Sequence, residues 1–376
     1  MKKLLILLCL LMPFIVQAQT DSDRVNLLQS ATQQQIKIDT NYNRLLRYRT
    51  AYQQSIGTIT ALNTQVISLK SQVSTLLLTN KILNDTIAAL RNRLMPRYRG
   101  ANIHPFINSV YANIPGIVRD VKAVGLNAVR CDLHPNSAGV FPSVATLNNL
   151  IQMCKDSGIF FQPMISISPV KNSSAATCLA FGKAVGTAYK FAVYELGNEQ
   201  DNESILTGDG TAASNYDQKK LAAYAICFKN VADGIRAVNP DAEIIINSAW
   251  IHWGFVQYML ANGVRIDGYS QHWYTNQEKA YTGKLPIEII VPQTFPGLDI
   301  TFNEVGIRPQ TDGSIPVTDY ALQTSILKRL SKFSWYYNEL YDEPSRGLVE
   351  GNFGIYTKAG SPKPLMVNML KAALTN

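Results

Sequence analysis

The sequence predicts an α/β chain, a (β/α)8 barrel preceded by an α-helical coiled coil. Two observations carry this. Within residues 101–376, eight short runs rich in β-branched residues alternate with longer helical segments, the pattern of parallel strands joined by crossover helices. Ahead of them, apolar residues repeat every seven positions over five consecutive heptads. A third observation separates a closed barrel from an open doubly wound sheet, since no glycine-rich phosphate turn follows the first strand.

The chain begins Met1-Lys2-Lys3, continues through the apolar residues 4–16 and reaches Val16-Gln17-Ala18 before Gln19. A basic start, a short apolar stretch and a small-residue site are the three parts of a secretory signal peptide. Residues 1–18 are therefore expected to be removed and the protein exported, to a periplasmic, cell-surface or extracellular location. The apolar stretch is too short to span a bilayer comfortably, and no second run of about 20 apolar residues follows it, so no transmembrane segment is expected.

The formal charge of +8 is unevenly placed, with 11 Lys and Arg against 4 Asp and Glu in residues 19–100 and near-neutrality beyond them. The basic character belongs to the stalk and gives no reason to expect nucleic acid as a partner of the main domain. Cys131, Cys154, Cys178 and Cys227 form no C-x-x-C pair and stand near no histidine at ligand spacing, so no metal site is expected from them. An oxidising compartment permits a disulfide, and four small buried apolar side chains are the other reading.

The heptad places Ile59, Val66, Val73, Ile87 and Leu94 at a, and Leu62, Leu69, Leu76, Leu83 and Leu90 at d. β-branched a with Leu d favours a parallel dimer, and Asn80 at an a position is best satisfied when identical chains align in register. A parallel homodimer is expected. Uncharged e and g positions such as Gln65, Gln72, Leu77 and Thr79 supply nothing that excludes a trimer. Pro96 ends the helix, which divides the chain into a signal peptide (1–18), a stalk (19–95), a linker (96–100) and a barrel domain (101–376).

The eight strands are expected at residues 101–106, 127–133, 160–167, 191–196, 243–248, 268–273, 299–303 and 348–356. Helical segments fall at 115–124, 144–156, 175–189, 216–238 and 320–333. In such a barrel the chemistry sits at the C-terminal ends of the strands. Strand four ends in Tyr194-Glu195-Leu196-Gly197-Asn198-Glu199, and strand seven in Phe302-Asn303-Glu304-Val305-Gly306. Each puts a glutamate at the barrel mouth, on strands set apart around the ring. Glu195 shares the strand parity of Glu199 but lies one repeat deeper, which suits a partner for a donor inside the barrel.

These motifs resemble glycoside hydrolase clan A, with similarity to families 5 and 39, and the resemblance covers residues 101–376. An Asn-Glu pair closes strand four in that clan, and a Glu followed by an aliphatic or aromatic residue and Gly closes strand seven. The resemblance implies Glu199 as acid/base, Glu304 as nucleophile and Asn198 as the residue that binds the substrate 2-hydroxyl. Arg130 is similar to the arginine that keeps the nucleophile ionised, and His272-Trp273-Tyr274 to the His-x-Tyr whose tyrosine hydrogen-bonds it. The chain departs from the clan at Gln200, where Pro is common, and at Asn352-Phe353-Gly354, where many members carry a Trp.

The chemistry agrees with those roles. Glycosidic cleavage needs one carboxylic acid to protonate the leaving oxygen and one carboxylate to attack the anomeric carbon, with the carboxyls about 5 to 5.5 Å apart when configuration is retained. A carboxylate beside Arg130 and Tyr274 is favoured charged, whereas one between apolar walls and a negative neighbour has its pKa raised, which assigns Glu304 and Glu199 in turn. Trp250, Trp253 and Trp273 near the ends of strands five and six are candidates for stacking on sugar faces or for core packing, and Trp335 for packing inside. His104 and His134 stand near strand ends as hydroxyl ligands or structural groups. The expected function is retaining hydrolysis of a β-linked oligo- or polysaccharide, without cofactor. The alternative is an inactive barrel that binds carbohydrate or serves as an envelope scaffold.

Overall fold

The computed structural model describes residues 42–94 and 97–375. The expected signal peptide, residues 19–41 of the stalk and Pro96 lie outside the described residues. The chain divides into two compact units between Asn84 and Asp85. The described residues of the first belong to helix α1 (Tyr42–Leu94), a single run of 53 residues that continues past this division. Among its heptad positions Ile59, Leu62, Val73 and Leu76 are 36 to 56% exposed, an apolar surface that this chain leaves uncovered. No helix among the described residues is long and apolar enough to cross a membrane.

The second unit is a closed barrel of eight parallel strands in sequential order: β1 (Arg99–Ile103), β2 (Ala128–Leu133), β3 (Phe160–Ile165), β4 (Val193–Leu196), β5 (Glu243–Ala249), β6 (Gly268–Tyr274), β7 (Asp299–Gly306) and β8 (Ser334–Tyr337). Parallel neighbours require a crossover, and helices supply it, with α2 (Ile114–Ala123), α3 (Val144–Asp156), α4 (Ala175–Ala188) and α5 (Gln218–Val238) following the first four strands. Side-chain caps begin three of these helices: Asn113 accepts from Gly116 N, Ser174 from Thr177 N, and Asp217 from Lys219 N and Lys220 N. The apolar core fills the layer between strands and helices, where Ile103, Val129, Ile165, Tyr194, Ile244, Tyr269, Phe302 and Trp335 meet Val121, Leu150, Phe181, Phe228 and Phe255.

Helices α4 and α5 are pressed together through glycines. A Cβ at Gly182 would stand 2.2 Å from the Val231 carbonyl oxygen, and one at Gly234 would stand 2.4 Å from that of Leu179. This contact fixes the crossover that follows β4, and hence the strand end that carries Glu199.

Seven strands lie where the sequence places them, and the eighth does not. β8 is the four-residue run Ser334-Trp335-Tyr336-Tyr337, which pairs with β7 and with β1 to close the ring. Residues 348–356 instead hold a short helical turn (Gly347–Glu350) and a bridge from Tyr356 to Tyr341. The backbone there turns at Gly351 and Gly354, where a Cβ would clash with other backbone at 2.4 and 2.2 Å. Trp335 is buried on β8, and Asn338 directly follows the strand, so it is Asn338, rather than Asn352 to Gly354, that stands at this strand end.

Candidate active site

The strand period of two decides which side chains reach the barrel axis. On β4 this sends Glu195 inward, fully buried, to accept from Arg130 Nε at 2.7 Å and Nη2 at 3.0 Å, Asn247 Nδ2 at 2.7 Å, Asn303 Nδ2 at 2.7 Å and Gln162 Nε2 at 3.2 Å. Burial pushes the Glu195 carboxyl up, but the charges and hydrogen bonds of Arg130 and His272 together more than offset it and hold the group at about 2. It is the structural partner expected from its depth, and Arg130 spans the distance from it to the mouth.

Above that ion pair, Arg130 Nη1 donates to Glu304 Oε1 at 3.1 Å, and Nη2 donates to Asn198 Oδ1 at 2.7 Å. Tyr274 Oη donates to Glu304 Oε2 at 2.8 Å and itself accepts from Asn338 Nδ2 at 2.9 Å. Glu304 therefore faces donors on both oxygens. Across from it, Glu199 accepts from Asn202 Nδ2 at 2.9 Å, and its Oε1 is 2.8 Å from His272 Nδ1. The same Nδ1 is 3.5 Å from Glu304 Oε2, and one oxygen of each carboxylate lies within 4.8 Å of the other.

The backbone at Glu199 has φ +46°, left-handed space that a non-glycine residue adopts only where its surroundings hold it. Gly197, at φ +72°, supplies the turn after β4. Asn247 on β5 is the clamp: its Oδ1 accepts from Glu199 N at 2.8 Å while its Nδ2 donates to Gly197 O at 2.7 Å. Gln200, at the position where Pro is common in the clan, donates to Asn198 O at 2.9 Å. Buried Asp201 then ties this loop to the one after β5 through Ala249 N at 3.1 Å and His252 Nδ1 at 2.6 Å.

The electrostatics differ from the sequence expectation for Glu199, whose neighbours are polar rather than apolar. Burial pushes its carboxyl up, but the hydrogen bond and charge of His272 more than offset this and set it below the ordinary value. Burial lowers the His272 imidazole, while Glu304, Glu195 and Glu199 raise it to about 10. The proton that an acid at Glu199 would deliver therefore rests on His272 Nδ1, one hydrogen bond away.

A cleft of about 420 Å³ opens over the pair and is lined by Glu199, Glu304, Asn198, Tyr274, Trp250 and His104 among others. Asn202, Asn276, Gln277 and Arg308 add polar groups around it. A larger groove of about 620 Å³ on the outer helices, lined by Phe141, Val144 and Tyr189, has no carboxylate on its walls.

Trp250 lines the cleft, but Trp273 does not reach it. His272 and Tyr274 point to the axis, so Trp273 between them points outward. It is fully buried, donates to Glu278 Oε2 at 2.7 Å, and stacks on Trp250 with ring centroids 5.3 Å apart. It is a backing for Trp250 rather than a sugar contact. Trp253 is packed away and donates to Gln271. His104 reaches the cleft wall, held between Glu343, Glu339 and Asp132. Cys131, Cys154, Cys178 and Cys227 are buried, and no disulfide joins them.

Asn247, Asn202 and the Asp201–His252 brace were not singled out in the sequence. A polar Asn at the end of Glu243-Ile244-Ile245-Ile246-Asn247 is a signal that could have found the first. The brace joins residues 51 positions apart with no shared motif.

No protein-family model matches the sequence, and no curated protein matches it. Solved structures do share its fold. An endocellulase from Pyrococcus horikoshii, solved with cellotetraose, aligns at TM-score 0.53 and 15% identity over 73% of this chain and 91% of its own. The GH53 catalytic domain of Ignisphaera aggregans aligns at TM-score 0.52 and 13% identity, over 75% of this chain and 97% of its own. Thermotoga maritima Cel5A, in complex with mannotriose, aligns at TM-score 0.50 and 14% identity, over 74% and 98%. Residues 99–375 thus form an eight-stranded barrel similar in fold to the clan A glycosidases.

Proposed function

We propose that the protein is an exported retaining glycoside hydrolase that cleaves O-glycosidic bonds of a β-linked glycan by double displacement. The observation that carries this reading is the Glu199–Glu304 pair, with oxygens within 4.8 Å across one cleft, on strand ends held by Asn247, Arg130 and Tyr274. That spacing suits direct attack on a sugar between the two and supports retention over inversion, which needs wider-set carboxyls with a water between them. The endocellulase solved with cellotetraose and the Cel5A solved with mannotriose support a glycan as ligand.

In the first step a Glu304 oxygen bonds to the anomeric carbon as the bond to the leaving oxygen breaks, and Glu199 gives that oxygen the proton drawn from His272. The glycosyl ester removes the negative charge of Glu304, so the imidazole loses one of the groups that hold its proton. Glu199 then takes a proton from water, whose oxygen attacks the anomeric carbon and frees Glu304. Asn198, with Oδ1 committed to Arg130, turns its Nδ2 donor to the sugar 2-hydroxyl, and Trp250 offers a ring face to a neighbouring sugar. A 2-fluoro aryl glycoside, whose slow second step traps the ester, is expected to label the peptide containing Glu304. A label on any other peptide overturns the assignment.

The uncovered heptad face of α1 supports a parallel coiled coil of two identical chains as the assembly. Sedimentation of the mature protein is expected to give a dimer, and removal of residues 19–94 a monomer that keeps its activity on small aryl glycosides. A monomeric mature protein would refute the coiled coil.

A further inference from the structure

A second group of ionisable side chains lies in the cleft wall and takes no part in the chemistry above. His104, just beyond β1, has Nδ1 2.5 Å from Glu343 Oε1 and 3.2 Å from Glu339 Oε2, and both glutamates follow β8 and are buried. The three ligand atoms lie within 4.8 Å of one another. On the far side of the ring, Nε2 is 3.6 Å from Asp132 Oδ2 at the end of β2. Arg346 Nη1 approaches the same glutamates at 3.4 and 3.5 Å, on a side chain that is 42% exposed.

An internal ion pair leaves two features of this group unexplained. Glu339 Oε1 is buried, and no donor among the described residues reaches it, a costly state for a carboxylate oxygen. The charges also fail to balance. An imidazolium and Arg346 face Glu339, Glu343 and Asp132, and the Arg130 that also reaches Asp132 at 3.4 Å is shared with Glu195 and Glu304, so negative charge is in excess.

We propose that His104, Glu339 and Glu343 bind a first-row divalent cation of the zinc or manganese class, with Asp132 as the group that orients the imidazole. One imidazole nitrogen and two carboxylate oxygens form a ligand set for such ions, which hold nitrogen and oxygen at about 2.0 to 2.2 Å. A neutral His104 that ligates through Nδ1 turns its Nε2–H to Asp132, the carboxylate partner that metal-bound histidines ordinarily have. Exchange of the imidazole proton for a divalent cation brings the group to neutrality, and the orphaned Glu339 oxygen gains a ligand role. Three protein ligands leave positions open to water or a hydroxyl. His104 and Asp132 line the cleft, so the ion would join β1 and the segment after β8 into one rigid wall beside the catalytic pair.

The inference is independent of the glycosidase reading, and its test avoids turnover. The Glu304→Gln protein, equilibrated with micromolar Zn2+ and passed through a desalting column, is expected to retain one equivalent by elemental analysis. Additional Glu339→Gln or Glu343→Gln changes, near-isosteric and checked for folding by circular dichroism, are expected to lower the affinity at least tenfold. Calorimetry in buffers of different ionisation enthalpy is expected to show about one proton released per Zn2+ at neutral pH, because the imidazole must deprotonate. Failure to retain zinc, or retention that is lost with Glu199→Gln and unaffected by the two Glu→Gln changes, overturns the site.

Discussion

Glu304→Gln is expected to lower turnover by roughly 10⁴-fold or more on every substrate, because an amide cannot form the glycosyl ester. Glu199→Ala should behave differently. Substrates with poor leaving groups lose the proton donor, a factor of about 10² to 10⁴, whereas aryl glycosides with strongly acidic phenols keep their first step and show a burst before the slow hydrolysis. Added azide, which needs no base, should restore the second step as the β-glycosyl azide. Equal loss on both substrate classes, or rescue of Glu304→Gln rather than Glu199→Ala, would exchange the two roles. The hydrogen bond between Glu199 and His272 is expected to set the pH profile. Their shared proton is kept below about 10 and is lost as pH rises through that value. His272→Gln takes away the raised group, so the alkaline limb of kcat/KM should move to lower pH, and an unmoved limb would place the proton elsewhere.

How much of this was legible in the sequence depends on the range over which each interaction acts. Strands one to seven are local patterns, and β-branched runs such as Glu243-Ile244-Ile245-Ile246 announce themselves. β8 is only four residues long, follows a helix that continues into a 3-10 turn (Leu330–Lys332), and carries aromatic rather than β-branched side chains, so its neighbours β7 and β1 define it. The apolar residues at 348–356 imitate a strand, but the segment packs by close backbone approach at Gly351 and Gly354 instead. The meeting of Glu199 and Glu304 at one cleft was legible because barrel geometry maps strand ends onto one face, so two distant motifs converge by rule. Trp273, open between sugar stacking and core packing on its residue type alone, is decided by period two, since an inward His272 and Tyr274 require an outward Trp273. The protonation of Glu199 was not legible, because it depends on the 2.8 Å contact with a histidine 73 residues away rather than on the walls near its own strand. The His104, Glu339 and Glu343 group joins residues more than 230 positions apart and has no local signature.

Arg130→Met should have the largest effect on stability. The guanidinium is fully buried and makes contacts with Glu195, Glu304, Asn198 and Asp132, so its removal leaves the Glu195 charge in the barrel interior with amide donors and a His272 nitrogen 3.8 Å away. Breaking a buried pair on one side typically costs about 3 to 5 kcal/mol, which is a large share of the stability of a single domain. The pH dependence separates this cause from lost packing. In the native protein Glu195 is held at about 2, below its unfolded value, so its contribution is present above that unfolded value and fades only as pH falls toward 2. In Arg130→Met burial acts on Glu195 with only His272 left to oppose it, and the expected result is a carboxyl pushed up from its native position and past its unfolded value. The variant is then penalised most at neutral pH and partly relieved as Glu195 takes up a proton on acidification. Chemical denaturation at pH 7 and pH 5 should therefore show the gap between the two proteins narrowing at the lower pH. A gap that stays constant would mean that the loss is one of volume, as would an Arg130→Met/Glu195→Gln protein no more stable than the single variant. Glu304 loses the same cation, so activity should fall with stability in Arg130→Met, yet stay low in the double variant even where its fold is restored.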